Sequence, residues 1–475
     1  MRIRTFILAA AAVALAVAGP VAPGAVAAPS GLSDDFDGDG YRDLAVGTPK
    51  ANGGMVTVLF GSSAGVDPAR SVTVTQDTPG VPGGSESVDQ FGENVTSGDV
   101  DGDGYADLVV GAPYEEITGR PRGAVTVVWG GARPFTSGGV MLTAPDAASD
   151  RFGTGVAFAD LDGDGGGQLV VVGAGAFRYF DDGVPAQDGA REPEADFLPD
   201  GVLLDGIVAG RFSGGGAGDF VLHGRLVDDG AGTGAGGSHL GLLRGGPGDV
   251  GRDYTVLDGP GAAAWDRAVA AGDIDGDGYD DLVTGDRDGP AGGSFDVRYG
   301  RATGLPVTGT RYTQATAGVP GAAETGDAFG HAVAVGDATG DGYADVAVGA
   351  AQEEVDGRRG VGNVVFLKGG PSGLTTGGAR SVHQATSGVP GAAEAGDHFG
   401  SSLRLRDVDG DGGADLTIGA YGEDVLDGGY DDGAAWVLRG AATGLTTSYA
   451  TAFDAEDFPA YPLVPGRKFA DVVAR

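Results

Sequence analysis

Six stretches of this chain place aspartates at alternating positions around a glycine. The clearest reads Asp99-Val100-Asp101-Gly102-Asp103-Gly104-Tyr105-Ala106-Asp107, with carboxylates at positions one, three, five and nine and glycine at six. A tight turn there aims four carboxylates and the position-seven carbonyl, that of Tyr105, at one point. An all-oxygen cage of this charge suits a hard cation, and calcium fits it. Further full copies hold Asp35, Asp37, Asp39, Tyr41 and Asp43; Asp273, Asp275, Asp277, Tyr279 and Asp281; and Asp407, Asp409, Asp411, Gly413 and Asp415. Two copies substitute a neutral oxygen: Gln168 follows Asp160, Asp162, Asp164 and Gly166, and Thr339 stands among Asp337, Asp341, Tyr343 and Asp345. The expectation is four full Ca2+ sites and two weakened ones. A seventh slot, Arg211 to Asp219, has lost the ligands and should bind no metal.

The first half of this phrase also opens an EF-hand loop, which requires a glutamate at position twelve and flanking helices. Here Asp107-Leu108-Val109-Val110-Gly111-Ala112-Pro113 follows at once, and a valine-rich run closed by Gly and Pro reads as a short strand. A lone copy could be a mere Asp/Gly turn. Six copies in register point to a repeated site instead.

The elements that position these loops are short strands. Eight residues before the loops stand Phe91-Gly92, Phe152-Gly153, Phe329-Gly330 and Phe399-Gly400, with Trp265 and Leu203 at the same offset in two other units. An apolar residue follows four on: Val95, Val156, Ile207, Val269, Val333 and Leu403. Each unit thus reads strand A, acidic loop, strand B, a variable loop, strand C, a Gly-rich turn, strand D and a long connection. Loop starts at 35, 99, 160, 211, 273, 337 and 407 repeat at roughly sixty residues, the period of four-stranded propeller blades. The fold class is therefore all-β, a seven-bladed β-propeller. The first unit lacks its Phe-led strand, and Phe469-Ala470-Asp471-Val472-Val473 has that form with no loop after it. The C-terminal strand should supply it and close the ring, removing two sheet edges. Irregular third and fourth blades are expected between residues 170 and 265.

Arg2 and Arg4, an apolar run from Phe6 to Ala18 and Ala25-Val26-Ala27 form a secretory signal, with cleavage expected after Ala27. Residues 28–475 then make one propeller domain. No later segment is apolar enough to cross a bilayer. The chain has no cysteine, so an exported form has no disulfide staple, and bound calcium and the core must serve instead. The formal charge is −37, and 22 of the 67 acidic residues sit in the six loops. That surface repels nucleic acid and anionic lipid.

With the period, the Phe-Gly anchors and Gly111-Ala112-Pro113 in hand, the sequence resembles the FG-GAP repeats of the integrin alpha-subunit N-terminal propeller. The resemblance runs from about Gly31 to Arg475, and the chain looks more like the small secreted bacterial members of the group than like an integrin. It implies a seven-bladed propeller with calcium in the strand A to B loops, and a role in cell adhesion.

Calcium loops and C–D turns should share one rim, leaving the B–C and D–A connections on the other. That second rim carries Tyr114, Glu115, Glu116, Glu353, Glu354, Arg358, Tyr421 and Glu423, a mixture able to grip an extracellular protein or glycan. The rival is a glycan-active hydrolase or lyase, but the adjacent Glu115 and Glu116 cannot flank one bond together. Gly61-Ser62-Ser63-Ala64-Gly65 matches a serine-nucleophile pattern in the wrong setting, a C–D turn rather than a strand-to-helix elbow. No catalytic residue is assigned. The reading is a secreted, calcium-binding, non-enzymatic binding module.

Overall fold

The computed structural model describes residues 30–144, 150–180, 190–191, 198, 201–226, 237–246, 253–258, 268–425, 431–458 and 468–474. The signal segment and Trp265 lie outside them. The described residues form seven four-stranded antiparallel sheets arranged as a propeller. Among them the only helical pieces are three-residue turns at Pro290–Gly292 and Ala455–Asp457, so no helix flanks an acidic loop.

The second blade is the pattern unit. Asn94–Gly98 (A) pairs with Asp107–Ala112 (B), then Ala124–Val128 (C) and Gly139–Thr143 (D). Strands B and C are buried end to end, which their continuous apolar runs foretell, whereas D is half-exposed. The apolar residue four beyond each large anchor lies on a channel-lining strand and is itself buried: Val95, Val156, Ile207, Val269, Val333, Leu403 and, from the C-terminus, Val473. Closure is as the sequence implies. Val472–Val473 pairs with Leu44–Gly47 of the first blade, Val46 opposite Val473 and Gly47 opposite Val472.

The Phe-Gly and Gly-Ala-Pro signatures meet between blades. Gly111 lies under the Gly153 carbonyl of the next blade, where a Cβ would come within 2.2 Å of that oxygen. A Cβ on Gly349 would likewise lie 2.0 Å from the Gly400 carbonyl oxygen, and one on Gly419 2.5 Å from that of Ala470 across the closing seam. Neither motif belongs to one blade alone.

The third and fourth blades are irregular. In the third, strands Gln168–Gly173 and Ala176–Phe180 are joined by a tight turn with no B–C loop. In the fourth, Val202–Gly210 and Asp219–Leu226 are long, and their register shifts between Leu204 and Gly206.

Candidate metal centres

Each acidic loop but the first joins strand A to strand B of its blade; the Asp35 loop leads into strand B of the first blade, whose strand A comes from the C-terminus. In the first blade Asp35 Oδ1 accepts the backbone N–H of Gly38 at 2.8 Å and of Asp39 at 3.1 Å, and Asp35 Oδ2 accepts that of Gly40 at 2.9 Å. Asp37 then accepts from Asp39, and Asp39 from Tyr41. Such side-chain-to-backbone bonds wind the loop tightly around its own carboxylates. Asp160, Asp273 and Asp407 accept in the same way from the glycines at positions four and six. Asp99 and Asp337 take the position-six N–H.

The result is grouped oxygen. Carboxylate oxygens of Asp35, Asp37 and Asp39 lie within 4.8 Å of one another, as do those of Asp99, Asp101 and Asp107, of Asp160, Asp162 and Asp164, and of Asp273, Asp275 and Asp281. Asp99 Oδ1 is buried with no hydrogen-bond donor, an oxygen that a cation would satisfy. Burial raises the pKa of Asp37, Asp101, Asp275 and Asp409, and the position-five aspartate beside each adds to the rise. A divalent ion would reverse that repulsion. The donor set therefore fits a hard cation. Thr339 Oγ1 donates to Asp337 Oδ1 at 3.3 Å, so its hydroxyl does face the first ligand position. In the seventh blade Arg439 approaches Asp409 Oδ2 at 2.8 Å and would compete there.

Two features of these loops escape the sequence. Glycine at position four is as necessary as glycine at six: Gly38, Gly102, Gly163, Gly276, Gly340 and Gly410 all hold φ between 66° and 78°. The position-seven tyrosine of the next blade also packs there, since a Cβ on Gly38 would lie 2.4 Å from Tyr105 Cε1, on Gly276 2.6 Å from Tyr343 and on Gly410 2.9 Å from Tyr41. The second concerns position nine. Asp107 Oδ2 accepts from Val100 N at 2.9 Å and Oδ1 from Gly130 N at 2.8 Å, pinning the loop to the C–D turn of its blade. Asp43, Asp281, Asp345 and Asp415 do the same with Gly61, Gly300, Gly369 and Gly440. Burial pushes Asp43 up to about 8 and Asp107, Asp281 and Asp415 up to about 7, although those backbone N–H groups pull the other way. Gln168 Oε1 keeps the first of these bonds, to Leu161 N at 2.6 Å.

The loops are also tied to one another. The residue after each clamped glycine donates to the neighbouring loop: Gly131 N to Phe36 O at 2.9 Å, Gly370 N to Ile274 O at 3.0 Å, and Ser62 N to Val408 O at 3.3 Å across the seam. Ser62 Oγ itself donates to Gly65 O inside a turn between strands C and D, not at a strand-to-helix elbow.

On the rim of B–C and D–A connections, Glu116, Glu354 and Arg358 are exposed, with Arg358 also bonded to Ala393 O. Tyr114 and Tyr421 are half-buried, with Arg151 5.7 Å and Lys468 Nζ 4.3 Å from their ring centres. Glu115 and Glu353 depart from the expectation of a gripping surface. They are 5% and 7% exposed and turned inward onto Gln76 and Gln314. Glu423, half-buried, accepts from Gln384 in the same way.

The FG-GAP repeat model matches residues 27–59, 91–128, 329–367 and 399–438, which fall within blades one, two, six and seven and stop short of their D strands. Among curated proteins, integrin alpha-PS5 of Drosophila melanogaster is 40% identical over 85 residues, 17% of this chain and 8% of that one. Integrin alpha-5 of Xenopus laevis is 39% identical over 95 residues, 18% of this chain and 9% of that one. The phosphatidylinositol-glycan-specific phospholipase D of Bos taurus is 34% identical over 106 residues, 21% of this chain and 12% of that one. The matched stretches thus span about a tenth of each relative's length. The chain thus carries FG-GAP repeats in four places on a seven-bladed β-propeller, an arrangement similar to the N-terminal propeller of integrin alpha chains.

Proposed function

We propose that residues 1–27 are a secretory signal and that residues 28–475 form a single extracellular propeller. Calcium binds its A–B loops, and the opposite rim acts as a non-enzymatic binding or adhesion module for a protein or glycan. The loops at Asp35, Asp99, Asp273 and Asp407 are the full sites, and those at Asp160 and Asp337 the weakened ones. The observation that carries this reading is the repeated grouping of loop carboxylates at one end of the ring. Metal held there braces strand A against strand B and leaves the B–C and D–A rim free for a partner. Relatives named integrins support an adhesive role, and no helix of the described residues is long and apolar enough to cross a membrane.

The test uses the mature chain on a glycan array and on immobilised extracellular-matrix proteins, with and without Ca2+. Binding that is lost in Glu354→Ala/Arg358→Ala and kept in Asp164→Ala supports the rim. Turnover of a polysaccharide, abolished by a single carboxylate change, would replace this reading with a hydrolase or lyase.

A further inference from the structure

A second family of carboxylate clusters lies on the other rim, where the D–A connection of one blade meets the B–C loop of the next. Glu86, Asp89 and Glu115 bring carboxylate oxygens within 4.8 Å of one another. Asp89 is wholly buried, Glu115 is 5% exposed, and Glu86 reaches solvent. Asp89 Oδ2 accepts the Glu86 N–H at 2.7 Å, which folds the connection over the cluster. Its Oδ1 is buried and has no donor.

Gln76 supplies a second and separate observation. It is 2% exposed, its Nε2 donates to Glu115 Oε2 at 2.6 Å, and its buried Oε1 has no partner. A buried carbonyl oxygen without a donor, carried by an amide bonded to a carboxylate of the cluster, is costly in a protein and well suited to a cation. Rotation of the terminal amide brings that oxygen to the place Nε2 now holds against the cluster.

The arrangement recurs. Gln314 donates to Glu353 at 2.7 Å and Gln384 to Glu423 at 2.6 Å, each pair 39 residues apart like Gln76 and Glu115, and Gln314 Oε1 and Gln384 Oε1 are likewise buried without a partner. Asp327 accepts from Glu324 N at 2.8 Å and Asp397 from Glu394 N at 2.5 Å, repeating the Asp89–Glu86 fold. Burial first, then the neighbouring carboxylates, pushes Asp89, Glu353 and Glu423 up to about 7.

We propose that the Glu86–Asp89–Glu115 cluster with Gln76, and its counterparts at Glu324–Asp327–Glu353 and Glu394–Asp397–Glu423, are rim sites for a hard divalent cation of the calcium class. The donors are oxygen throughout, with no histidine or sulfur in any cluster, which selects Ca2+ or Mg2+ over transition metals. The ion bridges a D–A connection to the following B–C loop, so the metal sets the shape of the rim that meets a partner. The A–B loops lie at the other end of the blades, and these sites are independent of them.

The experiment counts Ca2+ bound per full chain by equilibrium dialysis in wild type, Glu115→Gln and Asp89→Asn, with Asp101→Asn as the A–B loop comparison. Each rim variant binds one ion fewer than wild type, whatever the A–B loops hold. Glu115→Gln keeps the side chain's size and removes a buried charge, so in chelator it melts at or above wild type. Asp89→Asn gives the same count should Glu115→Gln fold poorly. Equal Ca2+ counts in wild type and the rim variants would overturn the proposal.

Discussion

Asp219 Oδ1 accepts the backbone N–H of Gly245 at 3.0 Å, in the slot where Arg211, Ser213 and Gly215 stand at the positions of the other carboxylates. The clamp from position nine to the C–D turn thus survives where the metal cage has gone. Two jobs are superposed in the intact loops: the carboxylates gather charge, and the one at position nine also fastens the loop to its blade.

Substitution separates these jobs. Asp107→Ala leaves the Val100 and Gly130 N–H groups buried without acceptors. At about 1–3 kcal/mol for each unsatisfied group, a loss appears even in chelator, before any loss of metal adds to it in calcium. Asp103→Ala removes a ligand from a full site, so its cost appears in calcium and vanishes in chelator. It exceeds that of Asp164→Ala, whose loop already carries Gln168. Paired thermal melts check both.

Close approach between blades predicts a sharp contrast among glycines. A Cβ on Gly349 would sit 2.0 Å from the Gly400 carbonyl, whereas one on Gly370 would meet nothing within 4 Å. Gly349→Ala should cost about 1–3 kcal/mol or more by forcing the blades apart. Gly370→Ala should stay within about 0.5 kcal/mol of wild type. Denaturant midpoints at constant slope provide the comparison.

The ring seam holds a buried ion pair. Arg404 lies 2.6 Å from Asp34, and also donates to the Ala474 carbonyl of the closing segment. Lys50 and Asp471 meet at 2.5 Å nearby. Asp34→Asn leaves Arg404 buried without its counter-charge, a loss of about 3–5 kcal/mol. Burial pushes the Asp34 carboxyl up, but Arg404 and then Arg406 outweigh it and hold it at about 2, against 3.8. A carboxyl depressed in the folded state contributes stability above its unfolded pKa and loses it as pH falls. In chelator, wild type should therefore shed between pH 4 and 2 an increment that Asp34→Asn lacks. Parallel pH–stability profiles would contradict the assignment.

Periodicity was enough to reveal the ring, because loop, Phe anchor and strand B recur as local patterns. The tail-to-head closure was readable for the same reason: Phe469 and Val473 repeat the form of Phe91 and Val95. Relations between blades were not. Glycine at position four answers to a tyrosine in the next unit, and the Gly111 contact to a carbonyl some forty residues on, so neither leaves a mark within one repeat. Glu115 and Glu353 read as surface charge because loop position alone suggests exposure. Their burial depends on Gln76 and Gln314, which arrive from the preceding connection.

The central claim, that Ca2+ in the A–B loops stabilises the ring, is tested most directly by the melting temperature of the mature wild-type chain in about 10 mM Ca2+ and in excess chelator. For dissociation constants around 10⁻⁴–10⁻³ M, as in extracellular modules, each occupied site adds about 1.4–2.7 kcal/mol. The account predicts a fall of several degrees or more in chelator, restored by added Ca2+. An identical melt in both conditions would contradict it.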